Sequence, residues 1–238
     1  LQLSLMALNL SKSSKVVTST NSFVASANTI IMAGLNPVLT DIYEHDGNMD
    51  INTNHHTVDA IIPVHIYGNP CNFEEISEYA ETKKIPIIED ACQAHGAKFK
   101  NKKVGSIGEL GCFSFYPTKN MTVAGDGGMI TTNNDELAKT LISLRDNGRN
   151  ESNRGLHEKL GYTMRLNTVN AAIGRIELKE LDKKNKRRQE IHENYKKNLT
   201  DDILLSVNPK GESVFHQIVI KHKNRNQIKS HLEKNDIF

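Results

Sequence analysis

Three observations predict an α/β fold built on a mainly parallel sheet, seven-stranded in type. Strand-like and helix-like runs alternate as far as Gly148. The strand-like runs, such as "AIIPVHI" and "IPIIED", are almost continuously apolar, the pattern of strands covered on both faces. Polar clusters close those runs, "ED" after "IPII" and "PTK" after "SFY", and parallel sheets gather functional groups at the carboxyl ends of their strands.

In chain order, "LQLSLMALNL" (1–10) has the apolar spacing of the late turns of a helix. "KVVTST" (15–20) reads as a strand and "VASANTIIMAG" (24–34) as a helix that Gly34 stops. "NPVLTDI" (36–42) and "DAIIPVHI" (59–66) are further strands. "NFEEISEYAETKK" (72–84) is a helix with Asn72 as its N-cap. "IPIIED" (85–90), "GCFSF" (111–115) and "GMITTN" (128–133) complete the strands. "DELAKTLISLRDNG" (135–148) is a helix closed by Gly148. From 168, a helical pattern carrying Val169, Ala172, Ile173, Ile176, Leu178 and Leu181 meets no breaker after Gly174 and outruns an ordinary helix. "SVFHQIVIK" (213–221) is then a strand and "NRNQIKSHLEKN" (224–235) a helix. The expected organisation is a large domain over 1–180, then a linking helix and the start of a small α/β domain over 181–238.

Thirty Lys and Arg against 28 Asp and Glu leave a formal charge of +2, so no global field favours nucleic acid or a membrane surface. The basic run "KKNKRRQE" (183–190) lies among acidic residues and reads as a solvated helix face. No apolar run reaches the roughly 18 residues of a membrane span. The opening stretch lacks a basic leader and a cleavage site, and Cys71, Cys92 and Cys112 have no metal-type spacing. A cytoplasmic protein with reduced core thiols and no metal is expected. The first residues begin mid-pattern without an initiator Met, and "EKNDIF" stops where a strand could start. The sequence therefore reads as an internal stretch of a longer protein.

Lys119 stands after "GCFSFYPT" and before the glycine-rich "AGDGG". A free lysine is mostly protonated at neutral pH. Burial or a nearby cation frees the amine, which can then condense with a carbonyl. Asp90 closes an apolar strand, where a lone carboxylate is costly. An ion pair or an N-cap would account for it; so would a bound protonated pyridine nitrogen. An imine-forming lysine and an aspartate that keeps a ring protonated are together what pyridoxal phosphate requires.

With these pieces in place, the sequence resembles the DegT/DnrJ/EryC1/StrS family of pyridoxal-phosphate-dependent nucleotide-sugar aminotransferases. The matching stretches are "AIIPVHIYGNPCNFEEI", "PIIEDACQAHGAKFKNKKVGSIGELGCFSFYPTKNMTVAGDGGMITTN", "LRDNGR" and "GYTMRLNTVNAAIGRIEL". The resemblance implies the aspartate-aminotransferase-like fold, fold type I. It implies Lys119 as the Schiff-base lysine and proton shuttle, Asp90 facing the pyridine nitrogen, and Gln93 near the ring hydroxyl. Ser114 would contact the phosphate and Phe23 would lie against the ring. Arg165, in "GYTMRLN", would belong to a loop that reaches the neighbouring subunit's cofactor. This chain has Thr163 where the family usually has Asn.

The activity so implied is amino transfer from an amino acid, by family habit glutamate, to a nucleotide-linked keto-deoxysugar, in a homodimer with shared active sites. "SFYPTK" is more similar to members acting on 3-keto than on 4-keto sugars. The family's sugar-dehydratase branch replaces the lysine with histidine, so Lys119 argues against that reading. A sugar-nucleotide-binding protein that kept only the fold is the non-catalytic alternative. The "AGDGG" turn lacks the spacing of a nucleotide-binding glycine motif and is expected to let the backbone pass close behind Lys119.

Overall fold

The computed structural model describes residues 1–153, 155–200 and 203–237. Its elements run α1 (Gln2–Ala7), β1 (Lys15–Ser19), α2 (Ala25–Met32), β2 (Asn36–Thr40), β3 (Ala60–Ile62), α3 (Phe73–Lys83) and β4 (Ile88–Asp90). They continue with β5 (Lys98–Phe99), β6 (Lys102–Lys103), β7 (Leu110–Ser114), β8 (Gly128–Thr131) and α4 (Asp135–Leu144). The last are α5 (Thr168–Asn198), β9 (Gly211–Glu212) and α6 (Arg225–Glu233).

β1 pairs in parallel with β2 and with β3, and β4 pairs in parallel with β7. Parallel bridges Ile61↔Ile87 and Val64↔Asp90 join the two groups. The central sheet therefore runs β2-β1-β3-β4-β7-β8, with β8 antiparallel to β7 at the edge. Among the described residues it has six strands, against the seven expected.

Both faces of this sheet are covered, as the apolar strands require. Val16, Ala60, Ile62, Ile88 and Leu110 pack with Leu3 and Leu5 of α1, Ile30 of α2 and Leu141 of α4. Val17, Val38, Ile61 and Ile87 pack on the other side with Phe73, Ile76 and Ala80 of α3. Neighbouring strand residues point to opposite faces, so the adjacent pairs Val16/Val17, Ile61/Ile62 and Ile87/Ile88 split between the two cores. The cysteines remain free. Burial raises the thiol pKa of Cys71, Cys92 and Cys112, so these are core thiols rather than reactive ones.

Helix ends follow sequence chemistry in part. The Asn134 side chain accepts from the Glu136 and Leu137 N–H groups, and Asn167 caps α5 by accepting from Asn170 N–H. Gly34, at φ +78°, ends α2 as expected. Asn72 occupies the N-cap of α3, but its side chain makes no capping bond.

α5 is one unbroken helix of 31 residues. Its buried residues are Gly174, Leu181, Asn185 and His192. That stripe differs from the apolar periodicity of the sequence, since Val169, Ile176 and Leu178 are exposed. The strand expected over 213–221 does not form. Phe215 has φ +44°, which breaks an extended chain. The local backbone instead bonds back to the body of the fold: Val214 N–H donates to Gly68 and Gln217 N–H to Tyr67. β9 pairs antiparallel with β5, so this stretch lies against the sheet-bearing part of the chain.

Candidate active site

Asp90 ends β4 and Ser114 ends β7, the strand beside it, where Asp90 lies opposite Cys112. This adjacency brings the two polar clusters of the sequence to one edge. The Asp90 carboxylate is buried. Its Oδ2 accepts from Ser26 Oγ at 2.7 Å and its Oδ1 from Cys92 N–H at 3.2 Å. No lysine, arginine or histidine side chain pairs with it among the described residues. A buried carboxylate oriented by hydrogen bonds but lacking a cationic side chain suits a bound cation, and a protonated pyridine nitrogen is one.

Ser26 also contacts Ser22, Oγ to Oγ at 2.6 Å. This relay ties the turn after β1, which carries Phe23, to Asp90. Phe23 itself is 70% exposed, an apolar ring left open next to Ser22.

Gln93 lies on the turn after Asp90, and its Oε1 accepts from the Tyr67 N–H at 2.9 Å. That bond consumes the acceptor and leaves the two amide N–H donors free for an electron-rich oxygen. Tyr67 holds φ +59°, uncommon for a residue with a side chain and typical of functional loops. Its hydroxyl donates to Asn21 Oδ1 at 3.3 Å, closing a ring back to the Phe23 turn. Ser114 Oγ accepts from Tyr116 N–H at 3.2 Å, so its own hydrogen is available to an anion. The donor set fits pyridoxal phosphate: an anion for the ring nitrogen, amide donors for the ring oxygen, and a hydroxyl for the phosphate.

Lys119 is half-buried on the loop after β7. Its backbone N–H donates to the Tyr116 carbonyl at 2.9 Å, while its Nζ forms no hydrogen bond or ion pair among the described residues. The loop is clamped immediately behind it. Asn120 is buried and donates from Nδ2 to Asn185 Oδ1 and to the Val214 carbonyl, both at 3.0 Å. The glycine-rich turn touches α5: Asn170 Nδ2 donates to the Val123 carbonyl at 2.6 Å. A methyl on Gly127 would meet the Leu166 side chain at 2.9 Å, so this glycine makes room for Leu166.

Two histidines accompany the lysine. His95 is buried beside Phe113 and Phe115. Burial pushes its pKa down from 6.5 to about 4, against a backbone contact at Ser114 that raises it, and the charge of Lys119 adds a smaller push down. His216 is half-buried and likewise depressed to about 4, by burial first and then by the charges of Lys119, Arg188 and His95. Both are neutral at physiological pH.

Arg165 is not joined to this cluster. Its guanidinium pairs with Asp146, which also pairs with Arg149. Thr163, in the family's Asn position, donates from Oγ1 to Asn147 Oδ1 at 2.9 Å.

Sequence reasoning missed Ser26, Asn120 and His216, and it missed Glu89. The fully buried Glu89 carboxylate accepts from Gly105, Ile107 and Gly108 N–H at 2.6 to 2.7 Å and from His65 Nε2 at 3.1 Å. Burial alone would raise its pKa; the His65 contact and the backbone donors outweigh this and leave it lowered. His65 Nδ1 accepts from Cys71 N–H at 3.1 Å, so the imidazole bears its hydrogen on Nε2 and gives it to Glu89. Glu89 thereby fixes the 105–108 loop against the sheet. The doubled acid in "IIED" was the available signal, because successive strand residues face opposite sides and two acids there cannot share one role.

A parallel-sheet fold with a carboxylate at one strand end and an unpartnered lysine after the next defines the class, a fold type I aminotransferase architecture. The chain belongs to the DegT/DnrJ/EryC1/StrS aminotransferase family, whose family model matches residues 1–238. It is 34% identical over 220 residues to the GDP-perosamine synthase of Escherichia coli O157:H7, covering 91% of this chain and 60% of that protein. It is 36% identical over 243 residues to the UDP-N-acetyl-3-dehydro-α-D-glucosamine 3-aminotransferase of Acidithiobacillus ferrooxidans, covering 100% of this chain and 65% of that protein. Among solved structures, S. venezuelae DesV in complex with a ketimine intermediate superposes with a TM-score of 0.94 at 31% identity, over 100% of this chain and 65% of that one. The chain thus spans less than two thirds of the length of these relatives.

Proposed function

We propose that this chain is the cofactor-binding part of an aminotransferase that moves an amino group from an amino acid, glutamate, to a keto group on a nucleotide-linked deoxysugar. The observation that carries the reading is a buried Asp90 at the end of β4 and, on the loop that follows the neighbouring strand β7, a half-buried Lys119, neither of them paired with a charged side chain among the described residues. Pyridoxal phosphate, when bound, supplies an electron sink for the carbon that gains or loses a proton.

The chain's own residues divide the remaining work. Asp90 would hold the proton on the ring nitrogen by opposing a positive charge with a negative one. Gln93 would offer amide N–H groups to the ring oxygen, and Ser114 would give its hydroxyl hydrogen to the phosphate. Phe23 would lie against the ring and exclude water from it. Lys119 would hold the cofactor through Nζ and move the proton at that same atom. Arg165 is assigned a contact from a second copy of the chain, so the working unit is a homodimer. Exposed Val24, Ile31 and Met32 on one side and Val169, Ile176 and Leu178 of α5 on the other supply apolar surface for it. Among the described residues no helix is long and apolar enough to cross a membrane, in keeping with a cytoplasmic enzyme. The sugar is assigned a keto group at C3, from the wording of "SFYPTK" and from the 3-aminotransferase named above.

Adding pyridoxal phosphate to the protein is expected to give a yellow species that Lys119→Ala abolishes. Glutamate with a panel of nucleotide keto-sugars is then expected to turn over best on 3-keto substrates. Turnover only on simple keto acids would replace the sugar reading with a general transaminase, and a colourless mixture would leave a binding protein.

A further inference from the structure

We propose that two serines of the turn after β1, Ser22 and Ser26, form a hydroxyl relay that keeps Asp90 charged and aimed, so that this carboxylate can hold the proton on the nitrogen of a bound pyridine ring. Ser26 is then a positioning residue for Asp90, and Ser22 for Ser26. The inference rests on the reading of Asp90 as the partner of that ring, and it adds two residues to the site.

Asp90 has little freedom apart from its side chain. Its N–H donates to the Pro63 carbonyl at 2.9 Å, and its own carbonyl accepts from His65 N–H at 3.1 Å. The chain after β3 thus fixes the main chain of Asp90, and what remains is rotation about two side-chain torsions. Oδ1 accepts from Cys92 N–H at 3.2 Å, a local turn contact that any aspartate can make with the backbone two residues on. Oδ2 accepts from Ser26 Oγ at 2.7 Å, across 64 positions of sequence. This is the shorter of the two bonds. Ser26 and Asp90 are both buried, so loss of the hydroxyl leaves Oδ2 short of a donor where water is scarce. Each carboxylate oxygen keeps a further lone pair for a ring N–H.

The direction of the relay follows from what each group can do. With Asp90 ionised, Oδ2 only accepts, and Ser26 gives it its one hydrogen. The Ser26 oxygen then has only lone pairs to offer. The 2.6 Å contact between the two serine oxygens is therefore closed by the Ser22 hydrogen. Both hydrogens point toward the carboxylate, and each bond polarises the next. A hydroxyl bonded to a charged acceptor binds more strongly than one bonded to a neutral acceptor, so the relay favours the anion that a ring cation needs. It also pins the chain on both sides of Phe23: Ser22 precedes that residue, and Ser26 N–H donates to the Phe23 carbonyl at 3.0 Å.

The test reads the relay with and without cofactor, on the full chain. In the cofactor-free protein, the ¹³C-labelled side-chain carboxyl of Asp90 is expected to shift on Ser26→Ala, and an unmoved carbon overturns the proposal. Titration with pyridoxal phosphate, followed by absorbance, is expected to show Ser26→Ala binding about tenfold more weakly, as for the loss of one hydrogen bond to a charged group. Ser22→Ala is expected to weaken binding by a smaller factor, and to add nothing once Ser26 is alanine. In the Asp90→Asn background, which lacks the charge, Ser26→Ala is expected to weaken binding less than about twofold. An equal loss in both backgrounds is what a merely loosened turn would give, and it overturns the proposal. Pyridoxal phosphate labelled with ¹⁵N at the ring nitrogen is expected to move toward its unprotonated shift in Ser26→Ala; an unchanged shift beside a lost affinity also overturns it. If the wild type binds no pyridoxal phosphate, the functional reading of Asp90 fails whatever the carbon shift shows. Binding that ignores Ser26 removes the relay and leaves that reading standing.

Discussion

At the scale of single residues, the two acids of "IIED" divide structure from chemistry. Asp90→Asn keeps the shape of the side chain and removes its charge. Affinity for pyridoxal phosphate, measured by absorbance titration, is expected to fall at least about a hundredfold. This is within the roughly 4 kcal/mol that two unit charges at about 4 Å exchange at an effective dielectric near 20. Glu89→Gln instead turns an N–H₂ toward the backbone donors that the carboxylate accepts. It is expected to cost about 3 kcal/mol of stability in chemical denaturation, whatever the cofactor content. Lys119 and Asp90 were legible because each is chemically out of place where it stands: a lysine before a glycine-rich turn, a carboxylate ending an apolar strand. Glu89, Ser26 and Asn120 were not legible, because their partners lie on distant segments and no short motif encodes them. Arg165 was read from a resemblance, and within this chain its guanidinium is occupied by Asp146.

Among the elements, close approach decides which positions must be glycine. A Cβ on Gly111 of β7 would sit 2.2 to 2.6 Å from the backbone of Gly105, and no side-chain motion relieves a clash with main chain. Gly111→Ala is expected to cost about 3 kcal/mol or more, visible as a lowered denaturation midpoint. The apolar strands of the sheet and the presence of the longer helices could be read from the pattern, but not the face that α5 buries. The two-residue strands β5, β6 and β9 could not, since two residues carry no period. β8 could be read as a strand but not as antiparallel, because direction depends on its partner. The stretch 213–221 alternates like a strand, yet it is spent on hydrogen bonds to Gly68 and Tyr67.

For the whole molecule, acid is the expected weakness. His95 and His216 are held near 4, below their ordinary 6.5, so between those values the unfolded chain binds more protons than the folded one. Stability therefore rises with pH across that window and falls as the solution is acidified through it. Glu89 adds to the loss lower down. Its pKa is depressed below 4.5, so its contribution is complete above that value and disappears as pH drops through the folded-state value. Urea midpoints compared at about pH 7 and about pH 5 are expected to differ in that direction, and His216→Phe is expected to shrink the difference. The stripe by which α5 meets the rest of the fold carries a further consequence. Gly174 lies against Val123 and Met121 of the lysine loop, and Asn185 reaches the His95 carbonyl. The two lie eleven residues apart on one face, three turns at about 3.6 residues each. Letters between them can change freely on the outer side, but length cannot. Inserting or deleting one residue would swing Asn185 about 100° around the axis and uncouple it, so descendants of this sequence should show substitutions there and no gaps.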